Sequence, residues 1–139
     1  MRLYQDGLAV CGPEEKIVCD LAALGVPNDR IRLKRIERGA VLEGTEDPDL
    51  LRTEYELIMN SLLAAESKGK TSPKENTHAA EFKVLLESRD RFIAKRIDST
   101  LQPDEIGILF LGALHRAVEN LPGTIKVATL SELLKAPAL

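Results

Sequence analysis

Apolar residues follow two patterns along this chain. Runs without alternation suit strands covered on both faces, and spacings of three and four suit helices with one buried side. The clearest run, residues 106–111, reads as a buried central strand ending at the turn residue Gly112. Residues 2–5 and 40–43 read as weaker strands, and residues 124–128, after the Pro122-Gly123 turn, as a further one.

Helical spacing covers most of the remainder. Residues 13–24 bury Ile17, Val18, Leu21 and Leu24 and stop at Gly25, and residues 28–38 are capped by Asn28 and closed by Gly39. A longer helix over 48–66 starts at Asp47-Pro48 and repeats Leu51, Tyr55, Ile58 and Leu62. Another spans 79–101 on Phe82, Leu85, Leu86, Ile93 and Ile97, and short helices follow at 113–120 and 130–135. Between the two long helices, residues 67–78 have no apolar anchor and read as a flexible internal loop. Strands alternating with helices predict an α/β fold, a small parallel or mostly parallel sheet flanked by helices, as a single domain over residues 1–139.

Composition narrows the function classes. A net charge of -3 argues against nucleic acid as the main partner. The basic group Arg30, Arg32, Lys34, Arg35 and Arg38 has no aromatic interleaving, so it reads as a solvated helix face. No stretch approaches the ~20 apolar residues of a membrane span, and no apolar run precedes Asp6 to make a signal peptide. The expected location is cytoplasmic, with Cys11 and Cys19 reduced, Cys19 in the core and Cys11 at the surface. Cofactor and oligomeric state are left open.

The candidate chemistry lies in the second half. At about 100° per residue, Arg89 and Arg96 fall inside the apolar arc of the helix over 79–101, whereas Lys83, Glu87, Arg91, Lys95 and Asp98 fall outside it. Three accounts are open: stems laid over the core with the charged ends in water, ion pairs with carboxylates from the other half, or an anion pocket. His115, three residues past Gly112 and at the start of the helix expected over 113–120, can face the carboxyl end of the sheet, where open α/β sheets bind ligands. Ligand-binding candidates are therefore Arg89, Arg96, Gly112 and His115, with His115 as the catalytic residue of an enzyme and Glu46 or Asp6 completing the site.

No metal-ligand spacing is present. The acidic stretch Glu43, Glu46, Asp47 and Asp49 lacks the calcium-loop pattern, and Gly69-Lys70-Thr71 lacks the upstream glycine of a phosphate-binding loop. The expected function is binding of an anionic small molecule at the carboxyl end of the central strand. The alternatives are a hydrolase using His115 with an arginine anion clamp, and a nucleic-acid or protein interaction module.

One stretch resembles a known family. Glu87-Ser88-Arg89-Asp90-Arg91-Phe92-Ile93-Ala94, followed by a hydrophobic strand ending Gly112-Ala113-Leu114-His115, is similar to the C-terminal part of the TraB/GumN group. The resemblance implies hydrolytic or metal-dependent chemistry and carries Arg89 and His115 over as functional positions. The family's N-terminal Gly-x-x-His has no counterpart, since Gly44-Thr45-Glu46-Asp47 holds no histidine.

Overall fold

The computed structural model describes residues 1–66 and 74–135. In chain order they form β1 (Arg2–Gln5), α1 (Glu14–Ala23), α2 (Pro27–Ile36), β2 (Val41–Leu42), α3 (Pro48–Glu66), α4 (Lys74–Thr100), β3 (Gly107–Phe110), a 3-10 turn (Ala117–Asn120) and α5 (Leu130–Lys135). The strands make one parallel sheet in the order β2-β1-β3. Leu3 of β1 lies opposite Leu42 of β2 and Ile108 of β3. The fold is α/β, as the alternation of patterns predicts.

Period-two alternation along the strands divides the core between the two faces of the sheet. On one face Leu3 joins Leu8, Val18, Ala40 and Leu42, with Ile17, Ile36 and Ile108 packed against them. On the other Tyr4 joins Ile93, Ile97 and Ala117, with Leu101, Leu109, Leu111, Leu121 and Ile125 around them. Neighbouring residues of one strand thus meet different apolar layers, which explains runs without alternation. The connection from β1 to β2 runs through α1 and α2. The connection from β2 to β3 passes β1 and runs through α3 and α4. Strand order therefore reverses beside β1, so the carboxyl ends of β1 and β3 form a topological switch point.

Several expectations are corrected. Residues 106–111 are not the central strand: β3 is an edge, Ile106 is 65% exposed, and the centre is the weakly signalled β1, where Leu3 and Tyr4 are buried. Apolar continuity reports cover above and below a strand but not its lateral neighbours. Residues 124–128 form no strand. Ile125 alone packs inward, and its N–H closes a turn onto the Pro122 carbonyl at 3.0 Å. Residues 113–116 are not helical either, and only 117–120 make a 3-10 turn.

Helix boundaries shift for local reasons. Helix α2 begins at Pro27 with Val26 as its cap, because proline's fixed φ suits the first helical position, and Asn28 lies inside. Arg32 is buried, with its guanidinium on Asp29 and 4.8 Å from the Phe110 ring centroid, so it leaves the solvated basic face. Cys19 is exposed, as is Leu24, because Val18 and Ala22 supply the buried side of α1. Helix α4 starts at Lys74, inside the stretch read as a loop, and residues 67–73 lie outside the described residues.

Candidate functional site

The site begins at the turn that ends β1. Gly7 adopts a positive φ of 73°, a conformation costly for residues with a Cβ, and this aims its N–H at Glu46 Oε1, 2.7 Å away. The adjacent Asp6 crosses the switch point: its Oδ2 accepts the Gly112 N–H at 2.8 Å, joining the ends of β1 and β3. A Cβ at position 112 would stand 2.8 Å from that oxygen, so any larger residue would push the Asp6 carboxylate aside.

After Gly112 the chain turns back, with the His115 N–H on the Gly112 carbonyl at 3.1 Å. The imidazole then reaches α4, where Nδ1 lies 2.6 Å from Asp90 Oδ1. The other Asp90 oxygen accepts the Arg116 N–H at 2.8 Å, which holds the carboxylate in place. Nε2 points the other way, 3.6 Å from Asp6 Oδ2. The side chains of Asp90 and His115 are 5% and 6% exposed, and that of Asp6 is 28% exposed, so Asp6 is the more open of the two carboxylates. One imidazole therefore stands between an enclosed and an open carboxylate.

Arg89 lies beside this pair in sequence and is spoken for. Its Nε donates to Glu46 Oε2 at 2.6 Å, Nη2 donates to Glu46 Oε1, and Nη1 reaches Glu54 of α3. Glu46 is fully buried and Arg89 nearly so. The hydrogen bonds from Glu46 are the largest influence on the guanidinium. With the charges of Glu46, Glu54 and Asp6 they hold its pKa above the ordinary arginine value despite burial. Of the three accounts for this arginine, the ion pair is the one realised.

Arg96 belongs elsewhere. It donates to the Gly44 carbonyl at 3.0 Å and to Glu43 at 3.2 Å. Glu43 is shared with Arg2, and Arg2 also pairs with Glu105 at 2.7 Å. Seven residues separate Arg96 from Arg89, about 10 Å along the helix axis. The structure thus joins Gly112 and His115 through Asp6, and links Arg89 to the same turn through Glu46 and Gly7. Arg96 sits in a separate charge network.

Sequence reasoning anticipated Asp6 and Glu46 as completing groups but missed Asp90 as the partner of His115. A signal was present. Counting 100° per residue sets Asp90 between Leu86 and Leu101 and near Ile93 and Ile97, inside the apolar arc. Beyond Asp90, an open groove of about 610 Å³ runs along α4, bordered by Lys83, Glu87, Arg91, Leu114, Arg116 and Glu119.

Among the described residues no group of three or more His, Cys, Asp or Glu side chains is arranged to hold a metal ion. No helix among them is long and apolar enough to cross a membrane. No family model, curated protein or solved structure matches the chain.

Proposed function

We propose that this protein is a small hydrolase in which His115 serves as general base and then general acid, oriented by Asp90 and facing Asp6. The observation that carries this reading is the imidazole held between two carboxylates at the switch point of the sheet. Asp90, accepting from Nδ1–H, selects the tautomer that turns the Nε2 lone pair outward, and it stabilises the imidazolium formed when Nε2 takes a proton from water. Asp6 accepts the second proton of that water as a hydrogen bond and directs the oxygen lone pair at the substrate. Nε2 then returns its proton to the leaving group.

The electrostatics favour a neutral or cationic substrate. Glu46, Glu54, Asp6 and Asp90 surround a single arginine and one imidazole, and both candidate clamp arginines already have carboxylate partners. The resemblance of residues 87–115 to the TraB/GumN group, carried by Arg89 and His115, points to the same reaction class. An anion-binding module is the second reading, with Lys83 and Arg91 as its candidate cations on a groove that also carries Glu87, Asp90 and Glu119.

The test is hydrolysis of a panel of ester, amide and phosphoester model substrates. Wild type should turn over at least one, and His115→Gln should lower that turnover by about 10²–10⁴-fold, the usual worth of general acid–base catalysis. Asp90→Asn should lower it less while leaving the fold intact by circular dichroism. No wild-type turnover across the panel, or equal turnover in His115→Gln, overturns the proposal. Saturable binding of a phosphorylated or carboxylated probe without turnover would establish the second reading.

A further inference from the structure

Helix α3 carries more apolar surface than the described residues cover. Residues Leu50, Glu54, Leu57 and Ser61 are half-buried, and at 100° per residue they occupy one narrow arc. A second arc beside it holds Tyr55, Ile58, Met59, Leu62 and Leu63, exposed by 64%, 42%, 37%, 55% and 59%. Leu51, Tyr55, Ile58 and Leu62 repeat at spacings of four, three and four, the seam of paired helices. Residues 57–65 carry no charge. Together the five exposed side chains present about 500 Å² of mostly apolar surface, within the roughly 300–600 Å² of a monomer's largest patch, a size that often marks an interaction site.

We propose that α3 is a homodimer interface, packed antiparallel against α3 of a second copy with Ile58 and Met59 beside the twofold axis. In that register Tyr55 meets Leu62 of the second copy, and complete cover of both stripes buries about 1,000 Å², the lower bound for a specific interface. Charge is complementary in the same register. Arg52 and Glu66 lie on the same flank of the stripe near its opposite ends, so antiparallel pairing brings each Arg52 to Glu66 of the other copy. Arg52 otherwise pairs with Asp49 of its own helix at 3.1 Å, where both side chains are more than two-thirds exposed and free to rearrange. A membrane surface fits less well. Helix α3 has four acidic residues and one arginine, whereas interfacial helices carry lysine and arginine on the polar side.

Sedimentation equilibrium of the full chain tests this proposal. Wild type should be a dimer at micromolar concentration, and Leu62→Lys should be monomeric with an unchanged circular dichroism spectrum, because Leu62 is exposed in the single chain. Arg52→Glu and Glu66→Arg should each weaken the dimer, by roughly up to tenfold in Kd for two symmetric exposed pairs, and the double exchange should restore it. That restoration supports the proposed register even if Leu62→Lys proves insoluble. A wild type that stays monomeric at 100-fold higher concentration overturns the proposal. So does a dimer that survives Leu62→Lys, or a monomer that binds vesicles of mixed neutral and anionic lipid.

Discussion

Replacing Arg89 with methionine keeps much of the apolar stem and deletes the charge, which makes it the most direct probe of the buried network. Glu46 is 0% exposed, and two of its hydrogen bonds come from Arg89; without that residue, one donor remains among the described residues, the Gly7 N–H. Removing one member of a buried ion pair costs about 3–5 kcal/mol, because the remaining charge stays desolvated. That is a large share of the roughly 5–15 kcal/mol that holds a domain together. For a chain of this size it corresponds to a fall of about 10–20 °C in Tm. Glu54, the other partner, is 30% exposed and turns to water, so Glu54→Gln should cost under about 1 kcal/mol. The assay is urea unfolding followed by far-UV circular dichroism, with the slope m checked for constancy. Adding Glu46→Gln to Arg89→Met should recover about 1–3 kcal/mol relative to the sum of the single changes, since the two sites share one interaction. Arg91→Met, on the exposed side of the same helix, should stay within about 0.5 kcal/mol of wild type. A loss below about 1 kcal/mol for Arg89→Met would refute the buried ion pair as a source of stability.

Leu3→Ala, at the fully buried centre of the sheet, should cost about 2–5 kcal/mol, and Leu109→Ala on the half-buried edge strand clearly less; equal losses would contradict the strand order. Gly44→Ala should destabilise by about 1–3 kcal/mol, because its Cβ would stand 2.7 Å from the Val10 Cα, and backbone there cannot swing aside; an unchanged melting temperature would show that the loop yields. Glu105 is held below the ordinary carboxylate range chiefly by the Gln102 N–H, against burial, with the chain's amino terminus and Arg2 adding to the effect. A depressed carboxylate stabilises fully above its unfolded value of about 4.3, and that stability is lost as pH falls through the lower folded value. Glu105→Gln should therefore narrow its stability gap to wild type below about pH 4, as measured by thermal unfolding across pH, and a gap independent of pH would exclude the linkage.

The sequence by itself determined the fold class and most of the helices. Period and punctuation are local: Gly25 and Gly39 end helices at positive φ, and Pro48 opens α3, whatever lies across the sheet. It also marked Arg89 and Arg96 as misplaced charges and His115 as a candidate base. It could not assign a partner to any of them. Whether Arg89 binds an anion or a carboxylate depends on Glu46, 43 residues away, and that meeting requires the turn at Gly7 and the crossover through α3 and α4. The same holds for lateral position in the sheet. The apolar run at 106–111 shows cover above and below but not that β1 lies on one side and, among the described residues, no strand on the other. Ile125 gives the reverse case: one inward residue resembles part of a strand in sequence, yet packing anchors it without a ladder. Long-range pairing decided the chemistry as well. Asp6 and Asp90 lie far apart along the chain, and the parallel register with the turn after Gly112 brings them to opposite sides of one imidazole. Burial then set the role of each charge, since an enclosed carboxylate needs a partner and an open one can exchange it for water or substrate.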